Sequence, residues 1–157
     1  MDELTIARAL HVLGVVVWIG GVGMVTTVLL PAVRHFRNPS ERLAFFERIE
    51  ARFAAQARFS TLLVGGSGFY MTWAWDLWDR FHAPAFWWMG AMVAIWLIFT
   101  VMLFILEPVF LHRWLIERGR PKPRSTFRII IALHWFLLTS SLITIAGAVA
   151  GSHGSNI

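Results

Sequence analysis

Charged side chains divide this sequence into four apolar stretches: Ala9–Val33 between Arg8 and Arg34, Phe59–Trp75 between Arg58 and Asp76, Phe81–Leu106 between Arg80 and Glu107, and Ile129 onward after Arg128. At ~1.5 Å per residue a helix made from each can cross ~30 Å of hydrocarbon, the second only just. A backbone in lipid has to satisfy its own hydrogen bonds, which favours helices over strands. The pattern therefore predicts an all-α integral membrane protein, an antiparallel four-helix transmembrane bundle with spans at about 6–32, 55–76, 84–108 and 128–150. Acidic Asp2 and Glu3 precede the first run, which is too long for a signal-peptide core and lacks a small-residue cleavage site, so it reads as a retained span.

Between the first two runs, Pro39-Ser40 reads as a helix start, and Leu43, Phe46, Ile49 and Phe53 recur at helical spacing among Glu41, Arg42, Glu47 and Arg48. That pattern predicts an amphipathic helix at about 40–54 on the inner membrane surface, running into the second span. The later Gly119-Arg120-Pro121-Lys122-Pro123-Arg124 segment reads as a short extended connector, and residues 1–157 form one domain.

Composition agrees with this reading, since 57% of residues are hydrophobic and only 15% charged. Charge adds an orientation. Twelve of the fourteen lysines and arginines lie in or beside the loops joining spans one to two and three to four, which assigns those loops to the cytoplasm and both termini to the outside. The net charge of +5 is absorbed by this asymmetry, so no nucleic-acid partner is expected; the partner it requires is membrane lipid. The absence of cysteine excludes disulfides and thiolate metal sites. On the outer side, Trp73, Trp75, Trp78, Trp87 and Trp88 read as an interfacial aromatic belt.

Candidate chemistry begins with two histidines inside apolar runs, because an intramembrane imidazole is by default a functional-site hypothesis. Counting ~1.5 Å per residue from the centre of each run puts His11 roughly 10 Å to the outer side and His134 roughly 7 Å to the inner side. That offset argues for two sites, or for one site and one structural residue, over a single haem ligated by both. Met71 and Met92 fall near the depth of His11, and Met24 and Met102 near that of His134. His11 with Met71 is one axial pair that depth allows, and such ligation raises a haem potential relative to two histidines. His35, His82, His112 and His153 lie in loops or at chain ends, where solvated roles are expected. Arg58 and Glu107, both near the inner boundary, are placed to pair between spans two and three.

Small residues allow helices to approach closely, and Gly20-Gly21-Val22-Gly23 in the first span has a counterpart in Gly65-Gly66-Ser67-Gly68 of the second. Packing is the first reading of these clusters, and room for a flat macrocycle the second. Ala146, Gly147, Ala150 and Gly151 likewise offer a contact surface on the fourth span for a homodimer or a larger respiratory complex.

The stretch Arg8-Ala9-Leu10-His11-Val12-Leu13-Gly14-Val15-Val16-Val17-Trp18-Ile19-Gly20-Gly21 resembles the first helix of small bacterial membrane proteins of the copper-resistance D (CopD-like) type, which carry an H-x6-W-x-G-G pattern. It is similar as well to the first helix of the HemJ-type protoporphyrinogen oxidase, which binds haem b through a histidine there. Only His11 and Trp18 carry over from that enzyme. The resemblance implies a multi-pass protein of the bacterial inner membrane. Together with the residues above, it leads to the expectation of a haem b protein, with His11, His134 and Met71 as candidate ligands, that exchanges electrons with membrane quinol or a partner redox protein. Two alternatives stay open: a copper-handling protein using His11 and His134 with methionines, and a cofactor-free accessory subunit. Whether a net oxidoreductase reaction is catalysed is left open.

Overall fold

The computed structural model describes residues 2–35, 38–111 and 123–152, and among these there is no strand. The Gly119–Lys122 part of the connector, His112 and His153 lie outside the described residues.

Helix α1 runs over Glu3–Val33 and opens on Asp2, whose carboxylate accepts the Leu4 N–H at 3.0 Å. It is α-helical to Met24 and then widens into a π-helical stretch, Val25–Leu29, in which the Leu30 N–H reaches back to the Val25 carbonyl. Pro31 follows and has no N–H with which to continue an α ladder. Helix α2 is continuous over Pro39–Ala74. The chain then passes through 3₁₀ turns at Trp78–His82 and Pro84–Phe86 into α3, Trp87–Val101, which continues as a second π-helical stretch over Met102–Leu111. Helix α4 covers Pro123–Ser152.

Three stretches, Glu3–Val33, Pro84–Glu107 and Ser125–Ser152, are long and apolar enough to cross a membrane. Helix α2 is longer still but less apolar, because Ser60, Thr61, Gly65, Gly66, Ser67 and Gly68 dilute its hydrophobic half. Those small residues are where its neighbours settle. Gly68 meets the His11 ring of α1, Val64 meets Gly14, and Gly65 lies under Trp96 of α3. The two glycine clusters do not face one another: α1 and α2 run antiparallel, so Gly21 is opposite Phe53 and Gly68 opposite His11. On α4, Gly147 and Gly151 form notches filled by Trp87 and Trp88 of α3. The small-residue surface expected to serve assembly is thus used, at these two positions, within one chain.

Burial is concentrated in two layers. Trp18, Ile19, Val22, Val64, Phe99, Leu137 and Leu138 form the central one, with Trp18 edge-on to Phe99 at 4.8 Å between ring centres. Toward the arginine-rich end, Val25, Leu30 and Val33 of α1 pack with Phe46 of α2 and Phe127 of α4. The amphipathic stretch at 40–54 is therefore continuous with α2, and Phe46 on its apolar side is buried against α1 and α4. The outward surface is apolar as well: Leu13, Val16, Val28, Phe136 and Ile143 are all exposed. Contiguous exposed apolar surface of this kind marks a membrane-facing protein. Hydroxyls along the helices return their protons to carbonyls one turn back, as in Thr26 to Val22 at 2.7 Å and Ser141 to Leu137 at 2.7 Å, which suits a low-dielectric surrounding.

Candidate functional site

The two candidate histidines occupy different ends of the helix assembly and different environments. His11, half-buried on α1, donates from Nδ1 to the Val64 carbonyl of α2 at 3.0 Å and lies 3.2 Å from the Ser67 hydroxyl. Because Ser67 gives its own proton to the Leu63 carbonyl at 2.6 Å, its oxygen acts toward His11 as an acceptor. The ring rests on Gly68, and Met71 is half-buried three residues further along α2. Sequence depth thus brought His11 and this part of α2 to one level. The interaction recorded there is an interhelical hydrogen bond.

His134, half-buried on α4, donates from Nδ1 to the Ile130 carbonyl at 2.9 Å, one turn back in its own helix. A carbonyl can only accept, so this bond fixes the proton on Nδ1 and leaves Nε2 with the lone pair in the neutral ring. The ring stands edge-on to Phe46 at 5.8 Å between centres. It also lines a cavity of about 560 Å³ bounded by all four helices. That volume falls within the ~300–1,000 Å³ of small-molecule and cofactor sites.

The cavity wall is almost wholly apolar. Val25 and Leu29 of α1, Phe46, Phe53 and Ala57 of α2, Phe99 and Leu103 of α3, and Ile130 and Leu137 of α4 contribute to it. Among the described lining residues only His134 and Glu107 carry nitrogen or oxygen in the side chain, and Met102 adds a thioether. Met102 had been placed near His134 by depth alone. Met24, placed there by the same count, is exposed on the outer surface of α1.

Both π-helical stretches border this cavity, through Val25 and Leu29 on one side and Met102, Leu103, Leu106 and Glu107 on the other. Such insertions are frequent at functional sites, and here they shape the wall. Sequence reasoning did not single them out; Pro31 and Pro108, each inside an apolar run, were the available signal. The pairing of Arg58 with Glu107 is present, with Arg58 Nη2 at 3.0 Å from Glu107 Oε2. Oε2 makes no aligned hydrogen bond, so the contact is an ion pair.

Trp18, the other residue of the first-helix pattern, is buried in the central layer, and its indole N–H finds no hydrogen-bond partner among the described residues. Among the described residues no three histidine, aspartate or glutamate side chains come together as a metal-binding group. A chamber with one imidazole and one thioether suits a ligand that brings its own coordination sphere, and a porphyrin is such a ligand. Compared with protein-family models, with curated proteins and with solved structures, the chain matches none.

Proposed function

We propose that this chain is a four-helix protein of the bacterial inner membrane that holds haem b in the cavity between its helices and takes part in electron transfer. One observation carries the reading. His134 has its Nδ1–H committed to the Ile130 carbonyl and lines an apolar cavity of about 560 Å³, which leaves Nε2 available to a metal. A second-atom hydrogen bond of this kind is the usual way a protein fixes the tautomer and orientation of a ligating histidine. Met102 is the other lining side chain with a donor atom suited to iron.

The group so bound supplies a one-electron couple, and the protein supplies its surroundings. Phe46, Phe53, Phe99 and Leu137 exclude water from the cavity, and His134 fixes one axial direction. Helix α2 completes the crossing as a fourth span, and the arginine-rich loops keep both termini outside. Membrane quinol or a redox partner protein exchanges the electrons.

The test is the absorption spectrum of the purified protein, with haem and copper quantified on the same sample. A strong Soret band that His134→Ala removes is the expected result. A colourless protein with stoichiometric copper would replace this reading with copper handling. No colour and no copper would leave a cofactor-free accessory subunit.

A further inference from the structure

The second π-helical stretch contains Pro108, which has no N–H. In a ladder where each N–H reaches five residues back, the missing donor leaves the Leu103 carbonyl without its backbone partner. Arg58, on α2, supplies the replacement: its Nε donates to the Leu103 carbonyl at 3.0 Å. The same guanidinium holds Glu107, the residue before Pro108, through Nη2 at 3.0 Å. One side chain thus serves both the orphaned carbonyl and the carboxylate beside it.

The widened turn has a consequence for the cavity. Residues five apart share a face in this winding, so Met102 and Glu107 both line the chamber that His134 lines. Neither partner of the ion pair is fully in water, with side-chain exposures of 35% for Arg58 and 24% for Glu107. Removing one member leaves the other's charge uncompensated at the cavity wall.

Resting on the haem reading of this cavity, we propose that Arg58 is a positioning residue: it clamps the π turn that directs Met102 and Glu107 to the chamber and, by neutralising Glu107, sets the potential of the redox group held there. Lysine does not replace it. An ammonium keeps the charge but has no planar fork to meet a carbonyl and a carboxylate together.

The experiment compares the full-length parent protein with Arg58→Gln, Glu107→Gln, Arg58→Lys and the Arg58→Gln/Glu107→Gln double variant, by redox titration and by thermal unfolding in detergent. An unneutralised carboxylate stabilises the oxidised, more positive state, so Arg58→Gln moves the midpoint potential down. Glu107→Gln moves it up, and the double variant returns toward the parent. Thermal unfolding needs no haem: Arg58→Gln lowers the midpoint, Arg58→Lys lowers it less, and Glu107→Gln added to Arg58→Gln recovers part of the loss. If Arg58→Gln does not fold, Glu107→Gln and Arg58→Lys carry the same comparisons. Shifts of potential in one direction for both single charge removals, or none, overturn the electrostatic role. Additive losses of stability overturn the clamp. A parent protein with no Soret band defeats the haem reading and the potential with it, and the thermal series then decides the clamp alone.

Discussion

The indole N–H of Trp96 donates to the carbonyl of Thr61 at 2.9 Å, which ties α3 to α2 and lays the ring over Gly65. A Cβ at Gly65 would come within 2.6 Å of that ring, whereas one at Gly66 would meet nothing within 4 Å. Because the hydrogen bond pins the indole, it cannot give way without being lost.

Gly65→Ala is therefore expected to destabilise the protein by about 1–3 kcal/mol through overpacking and the broken Trp96 bond. Gly66→Ala, its neighbour on the same helix, should stay within about 0.5 kcal/mol of the parent. Denaturant or thermal unfolding of the two variants side by side checks the difference, and equal effects would remove the indole from the explanation.

The two histidines should separate by readout. His11→Ala deprives the Val64 carbonyl and Ser67 of their shared donor and is expected to cost about 1–3 kcal/mol of stability while the Soret band persists. His134→Ala should abolish the band. Absorption spectra and unfolding curves on both variants check this, and the reverse pattern would move the ligand to His11.

How far the sequence carried these conclusions differs from residue to residue. The helical class, the Arg58–Glu107 pair and the common level of His134 and Met102 follow from charge boundaries and from counting rise along a helix, both of which survive folding. Azimuth does not follow from depth. Met24 has the depth of His134 yet faces outward, and Gly21 meets Phe53 and not the glycines of α2. The π-helical stretches also shift the face of every later residue relative to a count that assumes an α-helix throughout, so the cavity could not be drawn from periodicity. His11 was legible as a residue needing a partner; that its partner is the Val64 carbonyl depends on how closely Gly14 and Gly68 let α1 and α2 approach.

Asp76 ends α2 in a left-handed conformation, with φ of 51°. The Leu77 N–H bonds the Thr72 carbonyl at 2.9 Å and the Asp76 N–H the Trp73 carbonyl at 3.2 Å, the paired bonds of a Schellman cap. Glycine takes this backbone without a Cβ penalty, so Asp76→Gly is expected to stabilise the protein by about 1 kcal/mol. A lower unfolding midpoint in that variant would assign Asp76 a side-chain role beyond the cap.

Orientation can be read with single cysteines, since the natural chain has none. A cysteine at Asn38, beside the arginine-rich end of α1, should be shielded from an impermeant thiol reagent in intact cells, and one at Asp79, in the tryptophan-rich turn, should be labelled. The opposite pattern would invert the topology.

Two of the cavity's walls are helices that carry one residue more per turn than an α-helix holds, at Val25–Leu29 and at Met102–Leu111. The chamber is therefore sensitive to chain length in a way it is not to most side-chain changes. Deleting a single residue from either stretch lets the ladder close in the α register, rotates everything beyond it by about a quarter turn or more, and narrows the space before His134. Room for a ligand here is written in the number of residues as well as in their kind.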